Sequence, residues 1–237
     1  NKLRVKTIWN FRELDLDESD DGDHGESLTD VFGDHGALML MEAFACNNSG
    51  TLQPENGNGI DLALLKFLEE KGHDFEEIRE AHLQGKFERF PFSSRRKMMS
   101  TVLANVDNGF PTKRRMHTKG GAEFVIQSCS HIYSFEDDST KEITPQILTR
   151  INNSLHEMAD NALRIICLAY KDLEGDEDLT TVDERGVFEI EKSGLTLLAL
   201  VGIRDRIRPG VKEAIQKCRR AGIKVRMVTG DNLLTAK

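Results

Sequence analysis

The sequence predicts an α/β protein in two unequal parts, and three features carry that expectation. Apolar residues recur with period two in some stretches and at helical spacing in others, with capping residues at the breaks. Beyond Lys192 the order becomes strand, helix, strand, over Leu195–Ile203, Pro209–Arg220 and Ile223–Val228, which is a parallel crossover unit. Thr229-Gly-Asp then stands at the carboxyl end of the last strand, where open α/β sheets place their ligands.

From the amino terminus, Asn1–Trp9 alternates, with Leu3, Val5, Thr7 and Trp9 on one face, and is expected to be a strand. Glu13–Glu26 holds eight acidic residues among Ser, Gly and His, the composition of a solvated loop. Asp17, Ser19, Asp21 and Gly22 fall at EF-hand spacing, but Leu28 occupies the twelfth position, where calcium needs a bidentate Glu. Calcium binding is not expected there. Gly36–Cys46 follows as a helix with Leu38, Met41 and Ala45 on its buried face. Asn56-Gly-Asn-Gly is a turn, and Ile60–Lys71 a largely buried helix closed by Gly72. Asp74 with Glu77 makes a capping-box-like start for Phe75–Leu83. After an acidic turn at Glu136–Glu142, Thr144 caps and Pro145 opens an amphipathic helix running to about Leu163. Arg164 stands at the mouth of a buried strand through Tyr170, and Asp172–Glu191 reads as loop plus a short strand. The helix Pro209–Arg220 turns Val211, Ala214, Ile215 and Cys218 inward.

Composition narrows the function classes. With 237 residues and 38% hydrophobic content, the chain fills one large domain, or one domain and part of another. No apolar run approaches the ~18–20 residues of a membrane helix, so a soluble chain is expected. A net charge of −8 argues against nucleic acid as the main partner, which leaves any basic site local. Cys46, Cys129, Cys167 and Cys218 form no Cys-x-x-Cys pair, and the histidines show no metal-ligand spacing. There is no Gly-x-x-x-x-Gly-Lys-Ser/Thr loop and no apolar leader.

Two segments concentrate chemistry. In Lys86–Val102, Phe92 offers a flat apolar face beside the cations Arg95, Arg96 and Lys97, a combination suited to a purine that carries phosphates. The same residues fit an ordinary strand pair with a solvated basic turn equally well. In Met116–Cys129, Lys119 precedes Gly120, Gly121 and a short helix-like run, so ammonium and bare backbone can both approach a ligand. Together these segments resemble the nucleotide-binding domain of P-type cation-transporting ATPases, and Arg96-Lys-Met-Met-Ser-Thr-Val is most similar to the plasma-membrane type of calcium pump. Asp205-Arg-Ile-Arg208-Pro resembles the family's Asp-Pro-x-Arg hinge motif, with Arg206 in place of Pro. Lys217–Ala236 is similar to calcium-pump sequences throughout.

The resemblance implies an α+β nucleotide-binding domain over 1–192, an antiparallel sheet flanked by helices. Part of a Rossmann-like phosphorylation domain of the haloacid-dehalogenase type then occupies 193–237. It implies ATP with Mg²⁺ as ligand, and a site drawn from Asp61, Phe92, Arg96, Lys97, Lys119, Gly120, Arg164, Asp205 and Arg208. Phe92 is then the adenine platform, and Asp61 stands where the family's Glu reaches the adenine amino group, although a helix-start Asp stabilising the dipole fits as well. Arg164 meets phosphate, and Asp205 and Arg208 touch ribose and phosphates. Thr229 and Gly230 border the phosphorylation site, and Asp231 helps orient nucleotide and Mg²⁺.

The nucleophilic Asp-Lys-Thr-Gly-Thr motif is absent from these residues, so this fragment is expected to bind ATP without being phosphorylated. The intact protein implied is a Ca²⁺-transporting ATPase working through an aspartyl-phosphate. This would be its cytoplasmic part, in a plasma or internal membrane, with the actuator and membrane domains as partners and the calcium ligands elsewhere. Two departures stand out. Ser94 replaces the Arg of sarcoplasmic pumps, and Gly121-Ala122 replaces an Ala-Ser or Ala-Pro pair. A non-enzymatic adenine-nucleotide sensor, a pump for another cation, and a soluble haloacid-dehalogenase-type phosphatase are the other readings.

Overall fold

Short polar side chains open the long helices. Ser27, Asn58, Asp74 and Thr144 each accept hydrogen bonds from backbone N–H groups two or three residues on, satisfying donors the first turn leaves orphaned. The computed structural model describes residues 3–15, 26–83, 87–104, 114–175, 177–205 and 210–226. In chain order the elements are β1 (Leu3–Asn10), β2 (Arg12–Asp15), α1 (Leu28–Ala45), a ribbon of β3 (Thr51–Leu52) and β4 (Glu55–Asn56), α2 (Gly59–Glu70) and α3 (Phe75–His82). There follow β5 (Glu88–Phe90), β6 (Met98–Ala104), β7 (Arg114–Gly121), α4 (Ala122–Val125), β8 (Cys129–Ser134) and β9 (Ser139–Glu142). The last are α5 (Pro145–Asp160), β10 (Arg164–Leu173), β11 (Leu195–Asp205) and α6 (Val211–Arg220).

Among the described residues, nine strands form one mixed but mostly antiparallel sheet in the order β2-β1-β11-β10-β7-β6-β5. β8 pairs in parallel with the first residues of β11, and β9 pairs with β8. The apolar run Leu195–Ile203 is buried along its whole length, as a strand covered on both faces requires. It lies between β1 and β10 in the same sheet as the residues before Lys192.

Side chains of the central strands alternate between two cores. Ile166, Leu168, Tyr170, Leu198, Val201 and Ile203 meet α1, α2 and α3 on one side. Cys167, Ala169, Leu195, Leu197 and Leu200 meet Val125 and the Ile151 and Met158 face of α5 on the other. No helix of the described residues is long and apolar enough to cross a membrane.

Five expectations change. The uniform face of Asn1–Trp9 is broken by a register shift between Val5 and Thr7, which puts Val5 and Ile8 in the α1–α3 core and packs Trp9 against the opposite one. The first long helix starts at Leu28 with a full capping box of Ser27 and Asp30, and it bends at Gly33, whose φ of 73 leaves the helical region. α5 ends at Asp160, short of Leu163, because Ala162 turns left-handed at φ 55. The amphipathic α6 buries none of its residues, and Ile223–Arg226 is not a strand; 227 and 228 lie outside the described residues. The acidic stretch is strand up to Asp15, and 16–25 lie outside the described residues.

Candidate functional site

A cleft of about 900 Å³ opens at one end of the sheet, where β7 runs out and β6 and β10 begin. The first turn of α2 forms one wall, and α4 and α5 form another. Asp61, Phe92, Lys97, Lys119, Gly120 and Arg164, which the sequence spreads over a hundred positions, all line it.

Asp61 lies in the first turn of α2, where its charge favours the helix N-terminus, and it is fully buried. Its backbone N–H donates to Asn58 Oδ1 at 2.9 Å. Its Oδ2 accepts from both the N–H and the Oγ of Ser49, at 3.3 and 3.2 Å. Ser49 is placed in turn by arginines that bind the end of α1: Arg79 donates to Ala45, Asn48 and Gly50 carbonyls, and Arg89 to that of Cys46. Lys119, on β7, donates its ammonium to Asp61 Oδ1 at 2.5 Å. Burial holds the Lys119 pKa below the usual lysine value; Asp61 opposes the shift, and Arg89 and Arg79 add to it. The carboxylate expected at the adenine amino group thus has a lysine partner on the cleft floor.

The basic turn divides by direction. Phe92 is 55% exposed and lines the cleft, and so does Lys97, whose φ of 60 is a conformation few side chains adopt. Arg96 points elsewhere. It is 4% exposed, donates to the carbonyls of Phe90, Pro91 and Met98, and lies 3.6 Å from buried Glu191. Glu191 also accepts from Ser100 Oγ and Phe188 N, and burial raises its pKa. Arg96 therefore braces the turn that presents Phe92 and Lys97, and it does not line the cleft.

Gly120 is a packing requirement. A Cβ there would lie 2.5 Å from Lys97 O and 2.8 Å from Met98 Cα, so β6 and β7 approach this closely only with glycine at that position. Arg164 begins β10 on the cleft wall. Asp205 is exposed at the end of β11, paired by register with Leu3, and is not among the lining residues. Arg208, Thr229, Gly230 and Asp231 lie outside the described residues.

Further lining residues are Asn152 and His156 from α5, and Glu123 and Phe124 from α4. Asn152 and His156 interrupt, at i and i+4, a helix face that otherwise reads as core through Leu155 and Ala159. That polar break is the signal that points to them. Phe124 carries none, because an aromatic residue after a glycine pair reads as core.

The family model described as P-type ATPase, cytoplasmic domain N, matches residues 36–210. Calcium-transporting ATPase 2, plasma membrane-type, of Arabidopsis thaliana is 34% identical over 232 residues, covering 94% of this chain and 21% of that protein. Calcium-transporting ATPase 4, plasma membrane-type, of the same plant is 33% identical over 243 residues, covering 100% and 22%. Plasma membrane calcium-transporting ATPase 1 of Gallus gallus is 40% identical over 190 residues, covering 79% and 15%. The chain spans about a fifth of the length of the curated relatives it matches. With three quarters of its residues inside the family match, this chain belongs to the P-type ATPase N-domain family.

Proposed function

We propose that the cleft holds ATP and that the chain serves as the nucleotide-binding part of a calcium-transporting P-type ATPase. One observation carries the reading: an exposed aromatic ring and three cations from three separate segments, Phe92 and Lys97 on one turn, Lys119 on β7 and Arg164 on β10, line a single cleft of about 900 Å³. Volume and lining suit a small planar ligand bearing negative charge. Phe92 stacks on the adenine, and Lys97 and Arg164 approach the phosphates. Lys119 is held by Asp61 on the floor, and Gly120 lets the backbone come close.

Mg²⁺ enters this reading with the nucleotide phosphates. No group of three ligating side chains exists among the described residues, and Asp231, assigned to the ion by resemblance alone, lies outside them. Calcium as the transported ion rests on what the relatives are called. Because β11 is a central strand of the sheet, and the family match runs to 210, we place the end of the nucleotide-binding domain after Asp205 and not at Lys192.

Hydrogen exchange with and without ATP tests the site. Protection is expected at 58–61, 92–99 and 119–124 and not at β9, which pairs with β8 off the main strand order and lends no residue to the cleft lining. Protection confined to other segments, or none at saturating ATP, would overturn the reading.

A further inference from the structure

Phe124 is 39% exposed, and with Phe92 it lines the same cleft. Exposed aromatic rings that converge on one concave site point to a ligand with a flat face. Phe124 belongs to α4, the single turn that β7 runs into after Gly120 and Gly121. Its ring folds back over Gly121: a Cβ on that glycine would lie 3.2 Å from Phe124 Cδ2 and 3.4 Å from Glu123 Oε2. Gly121 has an ordinary φ of −56, so its backbone does not call for glycine. An added Cβ would instead press on the ring and shift it by a few tenths of an ångström.

Resting on the ATP reading of the cleft, we propose that Phe124 is a specificity-determining residue: its ring forms a second aromatic wall facing the nucleobase, and Gly121 supplies the space that lets it stand there. Phe92 and Phe124 then both contact the base, while the phosphates lie toward Lys97 and Arg164. A planar purine gains from both rings, and a smaller pyrimidine gains less.

The test titrates ATP, CTP and inorganic tripolyphosphate into the 237-residue chain and its Phe124→Ala, Phe124→Tyr and Gly121→Ala variants, with thermal melts alongside. Phe124→Ala should weaken ATP about 5- to 30-fold, in the lower part of the range for base–aromatic stacking, and change tripolyphosphate less than about twofold. The ATP-over-CTP preference should shrink with it, and Phe124→Tyr should keep ATP within about threefold of wild type. Gly121→Ala keeps the ring but displaces it, so it should also weaken ATP selectively. Equal losses for ATP and tripolyphosphate, or wild-type ATP affinity in folded Phe124→Ala, would overturn the proposal. Should Phe124→Ala melt early, the Gly121→Ala result decides alone. Absence of ATP binding by the wild-type chain would instead remove the nucleotide reading on which the proposal rests.

Discussion

Lys119 Nζ and Asp61 Oδ1 meet at 2.5 Å on the floor of the cleft, joining β7 to the first turn of α2, and both side chains are buried. A buried pair of this kind adds little over a well-packed apolar pair, but removing one partner leaves an uncompensated charge. Asp61→Asn should therefore cost about 3–5 kcal/mol at neutral pH. Asp61→Asn combined with Lys119→Met should recover much of that loss, a coupling that urea melts measure.

The pH dependence of that defect has a definite sign. Burial lowers the Lys119 pKa below 10.5, so between its folded value and 10.5 the unfolded chain holds more protons. The stability contribution of Lys119 is thus lost as pH falls through the folded pKa and restored as pH rises toward 10.5. Without Asp61 to favour the ammonium, the window extends to lower pH. The Asp61→Asn deficit should narrow between pH ~7 and ~10, and a deficit constant across that range would contradict the assignment.

Arg96 and Lys97 are adjacent but should behave differently. Arg96→Lys removes donors from three carbonyls and should cost about 1–3 kcal/mol of stability, with the salt dependence of ATP binding unchanged. Lys97→Ala should leave the melt nearly unmoved and weaken ATP about 1.5- to 5-fold at low salt, an effect that fades at high salt. Calorimetric titrations at two ionic strengths separate the two, and a reversed pattern would exchange their roles.

Gly120→Ala tests the close approach of β6 and β7. Its Cβ would meet backbone atoms of Lys97 and Met98, which cannot rotate aside, so a loss of about 1–3 kcal/mol or more is expected. A variant as stable as wild type would show that the strands can separate freely.

What the sequence disclosed was local. Asp74 and Thr144 act within three residues, so α3 and the start of α5 are legible from their caps, and α2 from its apolar spacing, although its cap Asn58 reads only as part of a turn. The buried run Leu195–Ile203 announces a strand, but its apolar residues do not say which sheet it joins. Its central place depends on pairing with β1, almost two hundred positions away. The site divides in the same way. Residue type and neighbourhood drew Phe92, Lys97 and Lys119 together, and by the same criteria Arg96, whose direction depends on carbonyls of its own turn and on Glu191. Pairing of Lys119 with Asp61 crosses 58 positions and leaves no trace in either segment.

The most direct test of ATP binding in this cleft is a calorimetric titration of ATP into the wild-type chain and into Phe92→Ala, with thermal melts of both. Phe92 is 55% exposed, so its truncation removes little core packing. Wild type should bind ATP saturably, and Phe92→Ala should lose about 5- to 150-fold in affinity at a nearly unchanged melting temperature. Equal affinity in a folded Phe92→Ala variant, or no saturable binding by wild type, would contradict the ATP reading of the cleft.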